Sequence, residues 1–190
     1  MSEVSPTLVV WVGLAALPLV LALATAFTKA LVVVGSLRTG LSAEALLPWP
    51  VVLAVAVVVT AVVMAPVGGA VEAEVAARGG LEVLLASGPE AWTDVAAPLL
   101  EFVGRHASEA ELSFFAELQQ RPLTDPMVTV PAFLVTELAE ALAIAVVILV
   151  PFVLVDLLVA QAFVFVGLTQ QPTQLATLPL KILLFLAVGG

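Results

Sequence analysis

Apolar residues in this chain are grouped into long uncharged runs instead of alternating with polar ones. The first run extends from Leu8 to Phe27, and the second from Val51 to Val71, where Gly68-Gly69 marks its end. About 20 helical residues, each rising ~1.5 Å, are enough to cross the hydrocarbon core of a bilayer. The pattern therefore predicts two membrane-spanning helices, the first of them kinked at Pro18.

A moderately apolar stretch, Lys29–Leu41, follows the first run and carries cations near its ends. It predicts a helix that leads into a connection closed by the Pro-Trp-Pro triplet at 48–50. Basic residues favour the cytoplasmic side of a membrane, so Lys29 and Arg38 predict a cytoplasmic connection. The N-terminus and the residues that follow Val71 are then expected on the outer side.

The segment Glu72–Asp125 is much more charged than the apolar runs, since it carries ten acidic and three basic residues. Apolar residues recur at helical spacing within Ala97–Gln120, which is typical of amphipathic helices outside the membrane core. Turns are indicated at Gly79-Gly80, Ser87-Gly88-Pro89 and Arg121-Pro122.

The last long apolar block, Pro131–Gly167, exceeds the length that one bilayer crossing requires. Pro131 suits a first helical position, and Pro151 and Asp156 are expected to interrupt the block. A polar turn is predicted at 167–174, and a further helix follows from Thr177.

Together these patterns predict an all-α integral membrane protein with four hydrophobic helical segments. We divide it into a hydrophobic helical pair at 1–71, an acidic extracytoplasmic helical segment at 72–130 and a hydrophobic hairpin at 131–190. The composition agrees with a membrane protein, because 62% of the residues are hydrophobic and 11% are charged. Soluble domains have about 45–50% apolar and about 25% charged residues.

Composition also excludes several classes of function. A net charge of −9 offers no basic surface for nucleic acid. The chain has no cysteine and one histidine, which leaves no thiolate site and few metal ligands. No sequence typical of a nucleotide-binding, zinc-protease or serine-hydrolase site occurs. We therefore expect neither an enzyme nor a bound cofactor or metal.

Asp156 lies within the last apolar block, where a charge costs roughly 2.5–3.5 kcal/mol on insertion scales. It could relay protons, line a pore or pair with a cation such as Lys181. The predicted turn makes pairing feasible, but helical rise places the two residues at levels about 9 Å apart. Pairing between neighbouring subunits is therefore favoured over pairing within one chain.

Three other titratable residues have ordinary explanations. Glu137 and Glu140 share a helix face, as in carboxylate metal sites, but no histidine motif accompanies them. We interpret them as the solvated or interface-facing start of a helix. His106 stands beside Arg105 in the acidic segment and is expected to be a surface residue.

Several blocks of the chain, in order and at similar spacing, resemble the R subunit of the type III secretion export gate, called FliP in flagella and SctR or YscR in injectisomes. The blocks are AFTKALVVVGSLRTGL at 26–41, VVMAPV at 62–67, PLLEFVGRHASEAELSFF at 98–115, PAFLVTEL at 131–138, PFVLVDLLVA at 151–160 and LPLKILLFL at 178–186.

The resemblance implies a multi-pass protein of the bacterial inner membrane with a structural role. Such subunits form a ring of five that coassembles with S-, T-, U- and V-type subunits of the export apparatus, and unfolded substrate proteins pass through its centre. Asp156 and Lys181 would hold subunits in register, and Lys29, Arg38 and Pro151 would set packing and topology. The rival interpretation is a small ion or solute transporter that uses Asp156 as its coupling carboxylate.

The resemblance also implies a flexible seal, or gasket, around the passage. It would be formed by the residues at the end of the last long apolar block. Related subunits carry a methionine-rich run there, and methionine suits a flexible seal. This chain has other residues at the matching positions, and a ring of glutamine and threonine would be wetter. The methionine-rich run follows the glycine that corresponds to Gly167, and its matching positions here are Leu168, Thr169 and Gln170, with Gln171 next. The expected gasket is therefore Gly167–Gln171.

Overall fold

The computed structural model describes residues 6–87, 89–168 and 173–189. These residues form α-helices and no strand, which confirms the all-α prediction. The helices are α1 (Pro6–Ala24), α2 (Phe27–Gly40), α3 (Trp49–Ala77), α4 (Leu81–Ala86), α5 (Pro89–His106), α6 (Glu109–Gln119), α7 (Pro126–Phe165) and α8 (Gln174–Gly189).

Within the part of the chain that the structure describes, α3 and α7 are the helices long and apolar enough to cross a membrane singly. Pro18–Ala24 and α2 form a bent pair, with an angle of 85° at the break, and make a third crossing if they act as one span. The apolar helix α8 has 16 residues. The four hydrophobic segments predicted from the sequence thus correspond to two long spans, a bent pair and one short helix.

The first apolar run is not one helix from Leu8 to Phe27, because α1 ends at Ala24. A threonine satisfies the backbone at the break. Thr25 Oγ1 donates to the Leu21 carbonyl and accepts a hydrogen bond from the Phe27 N–H at 3.2 Å. Side chains that bond to nearby backbone in this way compete with regular helical bonds and bend helices.

The second apolar run continues as a helix past Gly68-Gly69, where the sequence predicts its end, and reaches Ala77. The helix ends where two other glycines follow. Gly79 and Gly80 have φ angles of 89° and 94°, in the left-handed region that glycine adopts without steric cost. The turn predicted at these two residues is therefore confirmed.

The start of α7 lies at Pro126, so the expectation that Pro131 is the first helical residue is wrong. Asp125 caps the helix. Its Oδ1 accepts a hydrogen bond from the Met127 N–H at 2.8 Å, and its carbonyl accepts one from the Val128 N–H at 2.8 Å. Proline fits directly after the cap because the first helical N–H has no partner in the helix.

The predicted interruption of the last block at Pro151 and Asp156 is also wrong, because α7 is continuous over 40 residues. Helices in lipid tolerate proline where neighbouring groups satisfy the freed backbone. Asp156 also lies inside the continuous helix, and its carboxylate accepts a hydrogen bond from Lys181. At ~1.5 Å per residue, α7 is about 60 Å long, roughly twice the thickness of the hydrocarbon core.

The chain divides into two compact units, and each contains sequence-distant segments. The first unit comprises the residues up to Lys29 together with Val57–Ala139, and the second comprises Ala30–Ala56 together with the residues from Glu140 onward. The boundary between the units falls inside α2, α3 and α7. The three regions proposed from the sequence concern position relative to the membrane, and they stay a prediction.

The first unit has a small apolar core in which the rings of Phe102 and Phe133 meet edge to face at 5.8 Å. Ser108 is the N-cap of α6 beside this core, since its Oγ accepts a hydrogen bond from the Glu111 N–H at 3.2 Å. The Ser108 N–H in turn donates to Thr136 Oγ1 at 2.9 Å. These bonds fasten the start of α6 to α7.

The second unit brings α2 and α7 together at Gly40. A side-chain carbon added at Gly40 would lie 2.5 Å from the Phe152 ring and 3.3 Å from Leu149. The close approach of α2 and α7 therefore depends on the absence of a side chain at Gly40.

Arg38 covers the Trp49 ring at 5.0 Å and donates from Nε to the Leu47 carbonyl at 2.6 Å.

We predict that Gly40→Ala lowers the free energy of unfolding by about 1–3 kcal/mol, because the added methyl group forces the Phe152 ring to move. Gly68→Ala is the matched control, since an added side-chain carbon there meets open space. It should be neutral or gain up to about 1 kcal/mol of helix stability. Thermal unfolding of the detergent-purified chain measures both, and equal midpoints for the two variants would contradict the packing described here.

We also predict that the first turn of α7 loosens in acid. The Met127 N–H, together with the Arg121 guanidinium, lowers the pKa of the Asp125 carboxyl below its ordinary value. A carboxyl with a lowered pKa stabilises the fold at pH values above its unfolded pKa of about 3.9. This contribution is lost as the pH falls through the folded pKa.

Hydrogen exchange at Met127, corrected for intrinsic rates, should therefore accelerate below about pH 4 in the unmodified chain. Asp125→Asn should weaken this dependence, while Glu117→Gln, at an exposed position, should leave it unchanged. An unaltered pH dependence in Asp125→Asn would show that another group causes the loosening.

Candidate functional site

Lys181 is the centre of a polar cluster in the second unit. Its Nζ donates to Asp156 Oδ2 at 2.7 Å and to Ser42 Oγ at 2.8 Å. Lys181 comes from α8, Asp156 from α7 and Ser42 from the turn that follows α2. One ammonium group thus joins three segments of the unit.

The geometry of each contributing residue follows from its local structure. Ser42 has a φ of 54°, which a non-glycine residue rarely adopts, and this turns its hydroxyl toward the lysine. Thr177 lies one turn before Lys181 on α8 and is also buried, and its Oγ1 has no hydrogen-bond partner among the described residues. The same face of α8 therefore carries two buried polar side chains.

The two charges of this cluster differ in exposure. The Lys181 side chain is 1% exposed, whereas the Asp156 side chain is 47% exposed. A buried cation needs a close anion because its desolvation is costly, and Asp156 meets that need. The part of the carboxylate that does not contact Lys181 remains open at the surface of the chain.

The structure brings Asp156 and Lys181 together within one chain. Helical rise predicted an offset of about 9 Å between the two residues along the helix axes, and this offset does not keep them apart. Pairing between subunits is not needed to neutralise Lys181, although the open part of Asp156 can still accept a hydrogen bond from a neighbour.

A second charge pair, in the first unit, was not predicted from the sequence. Lys29 Nζ donates to Glu137 Oε1 at 2.9 Å, and the two side chains are 29% and 6% exposed. From the sequence we interpret Glu137 as part of a solvated or interface-facing helix start. It is not at a helix start, because α7 begins at Pro126, and it is not solvated, because it is buried. Two features of the sequence could have indicated this pair. Glu137 is an acid within an apolar stretch, and the chain has only two lysines.

The described part of the proposed gasket is a helix end. Gly167 has a φ of 80°, and the Leu168 N–H donates to the Phe163 carbonyl at 2.8 Å, which closes α7. The exposed Leu168 follows. The other predicted gasket positions, Thr169, Gln170 and Gln171, lie outside the described residues.

The remaining predicted residues lie apart from the Lys181 cluster. Pro151 is inside α7, one turn and a half before Asp156. His106 is exposed, and its Nδ1 lies 2.8 Å from the Phe102 carbonyl at the end of α5. Among the described residues, no group of three acidic or histidine side chains is placed to hold a metal ion.

We predict that removing one partner of the buried pair destabilises the chain more than removing both. Asp156→Ala leaves Lys181 with Ser42 alone and should cost roughly 3–5 kcal/mol, with the exposure of Asp156 favouring the lower end. Asp156→Leu combined with Lys181→Met should recover most of this loss, because apolar groups of similar volume replace the pair.

Unfolding in detergent measures Asp156→Leu, Lys181→Met and their combination, and these three values give the coupling between the two positions. Arg105→Ala is the control, since Arg105 and Glu101 form an exposed pair at 3.8 Å and its loss should cost less than about 1 kcal/mol. Additive effects of the two single variants would show that the contact contributes nothing.

The sequence has clear relatives among known proteins. Residues 10–190 match the FliP family. The chain is 32% identical to the flagellar biosynthetic protein FliP of Bacillus subtilis, over 91% of this chain and 80% of that protein. It is 30% identical to the hypersensitivity response secretion protein HrcR of Ralstonia nicotianae, over 99% and 92%.

A third relative, the Yop proteins translocation protein R of Yersinia pestis, is 29% identical over 92% of this chain and 85% of that protein. Flagellar and secretion proteins thus both align with nearly the whole length of this sequence. With a family match that covers 10–190 and two relatives at or above 30% identity, the chain belongs to the FliP family.

Proposed function

We propose that this protein is a pore-forming structural subunit of a type III protein export gate in the bacterial inner membrane. Five copies would form a ring with S- and T-type subunits, beside U- and V-type components, and unfolded substrate proteins would pass through its centre. The chain would cross the membrane several times.

The broader part of this description follows from the family. As a FliP-family member, the chain is a component of a flagellar or type III secretion export apparatus, with a structural and not an enzymatic role. Its apolar helices make it a membrane protein. The ring, its partners and the passage of substrate are our inference.

The observation that supports assembly most directly is the open part of Asp156. Val153 lies about one helical turn before it on the same face of α7, and it is 58% exposed. Lipid would cover apolar side chains at no cost but cannot hydrogen-bond to a carboxylate. A neighbouring subunit with a hydrogen-bond donor would satisfy both the apolar face and the carboxylate.

The end of α7 supports a role at the passage. Gly167 ends the helix in a left-handed conformation, and Leu168 follows at the surface. In the assembled ring, we infer that Gly167–Gln171 narrows the central passage. Five copies of this mostly polar sequence would form a collar around an extended polypeptide.

The rival interpretation, a transporter coupled through Asp156, has weaker physical support. A coupling carboxylate has to bind and release its cation during each cycle. Here the carboxylate already neutralises a lysine that is 1% exposed, and releasing it would leave that charge buried and unpaired.

Native mass spectrometry of the detergent-extracted chain tests the proposal, with the chain expressed alone and with its genomic neighbours. We expect a five-copy species that recruits other small hydrophobic subunits. Asp156→Ala should abolish this species while the chain still inserts into the membrane. Glu44→Gln, which changes an exposed acid in the same unit, should assemble normally.

A stable monomer or dimer that recruits nothing would overturn the proposal. If that species moved a solute in liposomes and Asp156→Ala abolished the movement, the transporter interpretation would replace it. Intact five-copy rings of Asp156→Ala would instead show that Asp156 does not hold subunits together.

A further inference from the structure

The helix α6 presents an apolar ridge that nothing in the described chain covers. Phe114 and Leu118 are one helical turn apart, and their side chains are 58% and 66% exposed. None of the residues of α6 is buried. In a segment that lies between the two long spans, such a ridge exposes apolar area to water.

The ridge continues onto the residues that connect α6 with α7. Gln119 Nε2 donates to the Met127 carbonyl at 2.8 Å, so the last turn of α6 lies beside the first turn of α7. Leu123 and Met127 are 51% and 59% exposed there. Phe114, Leu118, Leu123 and Met127 together form what we name the α6 ridge.

Two carboxylates border this ridge. Glu111 lies three residues before Phe114 and Glu117 three residues after it, so helical periodicity places one on each side of the Phe114–Leu118 line. Neither carboxylate forms an ion pair with the described residues. The Phe114–Leu118 part of the ridge therefore has one carboxylate on each side.

The basic residues of the same segment are already engaged. Arg78 pairs with Glu74 and with Asp94, the latter at 3.0 Å. Arg105 lies 3.8 Å from Glu101, and Arg121 lies 2.9 Å from Asp125. Since the segment 72–125 has ten acids and three basic residues, its uncompensated charge is negative.

We infer that the α6 ridge is a docking surface for a basic amphipathic helix of another protein. The apolar side chains of that helix would lie on the ridge, and its lysine or arginine residues would face Glu111 and Glu117. A second copy of this acidic segment and an anionic lipid surface are both repelled by the same charge. This inference does not depend on the export-gate proposal.

The test uses the full chain in nanodiscs of phosphatidylcholine and a fluorescent amphipathic peptide made of leucine and lysine. Fluorescence anisotropy should show saturable binding above that of empty nanodiscs. Raising the salt concentration from about 0.05 M to about 0.5 M should weaken binding, because screening removes the attraction between the charges. A peptide with glutamate in place of lysine, and one with serine in place of leucine, should not bind.

Variants then locate the binding. Phe114→Ser combined with Leu118→Ser should weaken it at least tenfold, and Glu111→Gln combined with Glu117→Gln should reduce it several-fold and remove most of the salt dependence. Leu46→Ser is the control, since Leu46 is 65% exposed in the second unit. The ridge variants should keep the thermal midpoint of the chain, because α6 buries none of its residues.

Three results would overturn the inference. The first is peptide binding that is unchanged in the ridge variants. The second is a change of oligomeric state in those variants with no change in peptide binding, which would make the ridge an interface between copies. The third is ridge-dependent binding of phosphatidylglycerol vesicles, which would make it a membrane contact.

Discussion

The neutralisation of Lys181 is the interaction on which the second unit depends. An ammonium group that is 1% exposed among apolar helices requires an anion and a second acceptor within hydrogen-bond distance. Asp156 supplies the anion and Ser42 supplies the acceptor. Because these residues come from α7 and from the turn after α2, satisfying one charge also fixes where α8 lies against both.

The same requirement governs the places where helices break. Backbone groups in an apolar environment must find partners inside the protein. At the bend between α1 and α2, Thr25 bonds to backbone on both sides, and Thr28 Oγ1 donates to the Ala22 carbonyl at 2.8 Å. At the start of α7, Asp125 caps the first free N–H groups. The polar residues of this chain therefore mark its turns more closely than its prolines do.

The contrast between prolines and hydroxyl-bearing or acidic residues explains which parts of the fold were predictable. Long apolar runs and paired glycines act locally, so the spans and the turn at Gly79-Gly80 could be predicted from the sequence. Pro151 does not act locally, because whether a proline breaks a membrane helix depends on what packs around it. The sequence therefore could not show that α7 is continuous.

The candidate site was predictable only in part for a related reason. Asp156 and Lys181 stand out as charges in apolar sequence on either side of a turn, which suggests a pair. Ser42 carries no such signal, and Lys29 and Glu137 are 108 residues apart. Their contact depends on how α2 and α7 pack, which short-range patterns do not contain.

Both lysines of the chain pair with carboxylates of α7, but the two pairs differ in which partner is more exposed. In the first unit the more exposed partner is Lys29, whose long aliphatic side chain can carry its charge toward water. In the second unit the more exposed partner is Asp156, whose side chain is too short to do so. The half-exposed carboxylate of Asp156 can still accept a hydrogen bond from outside the chain. Under the proposed function, Asp156 and not Lys29 is therefore the position where a neighbouring subunit would supply a donor.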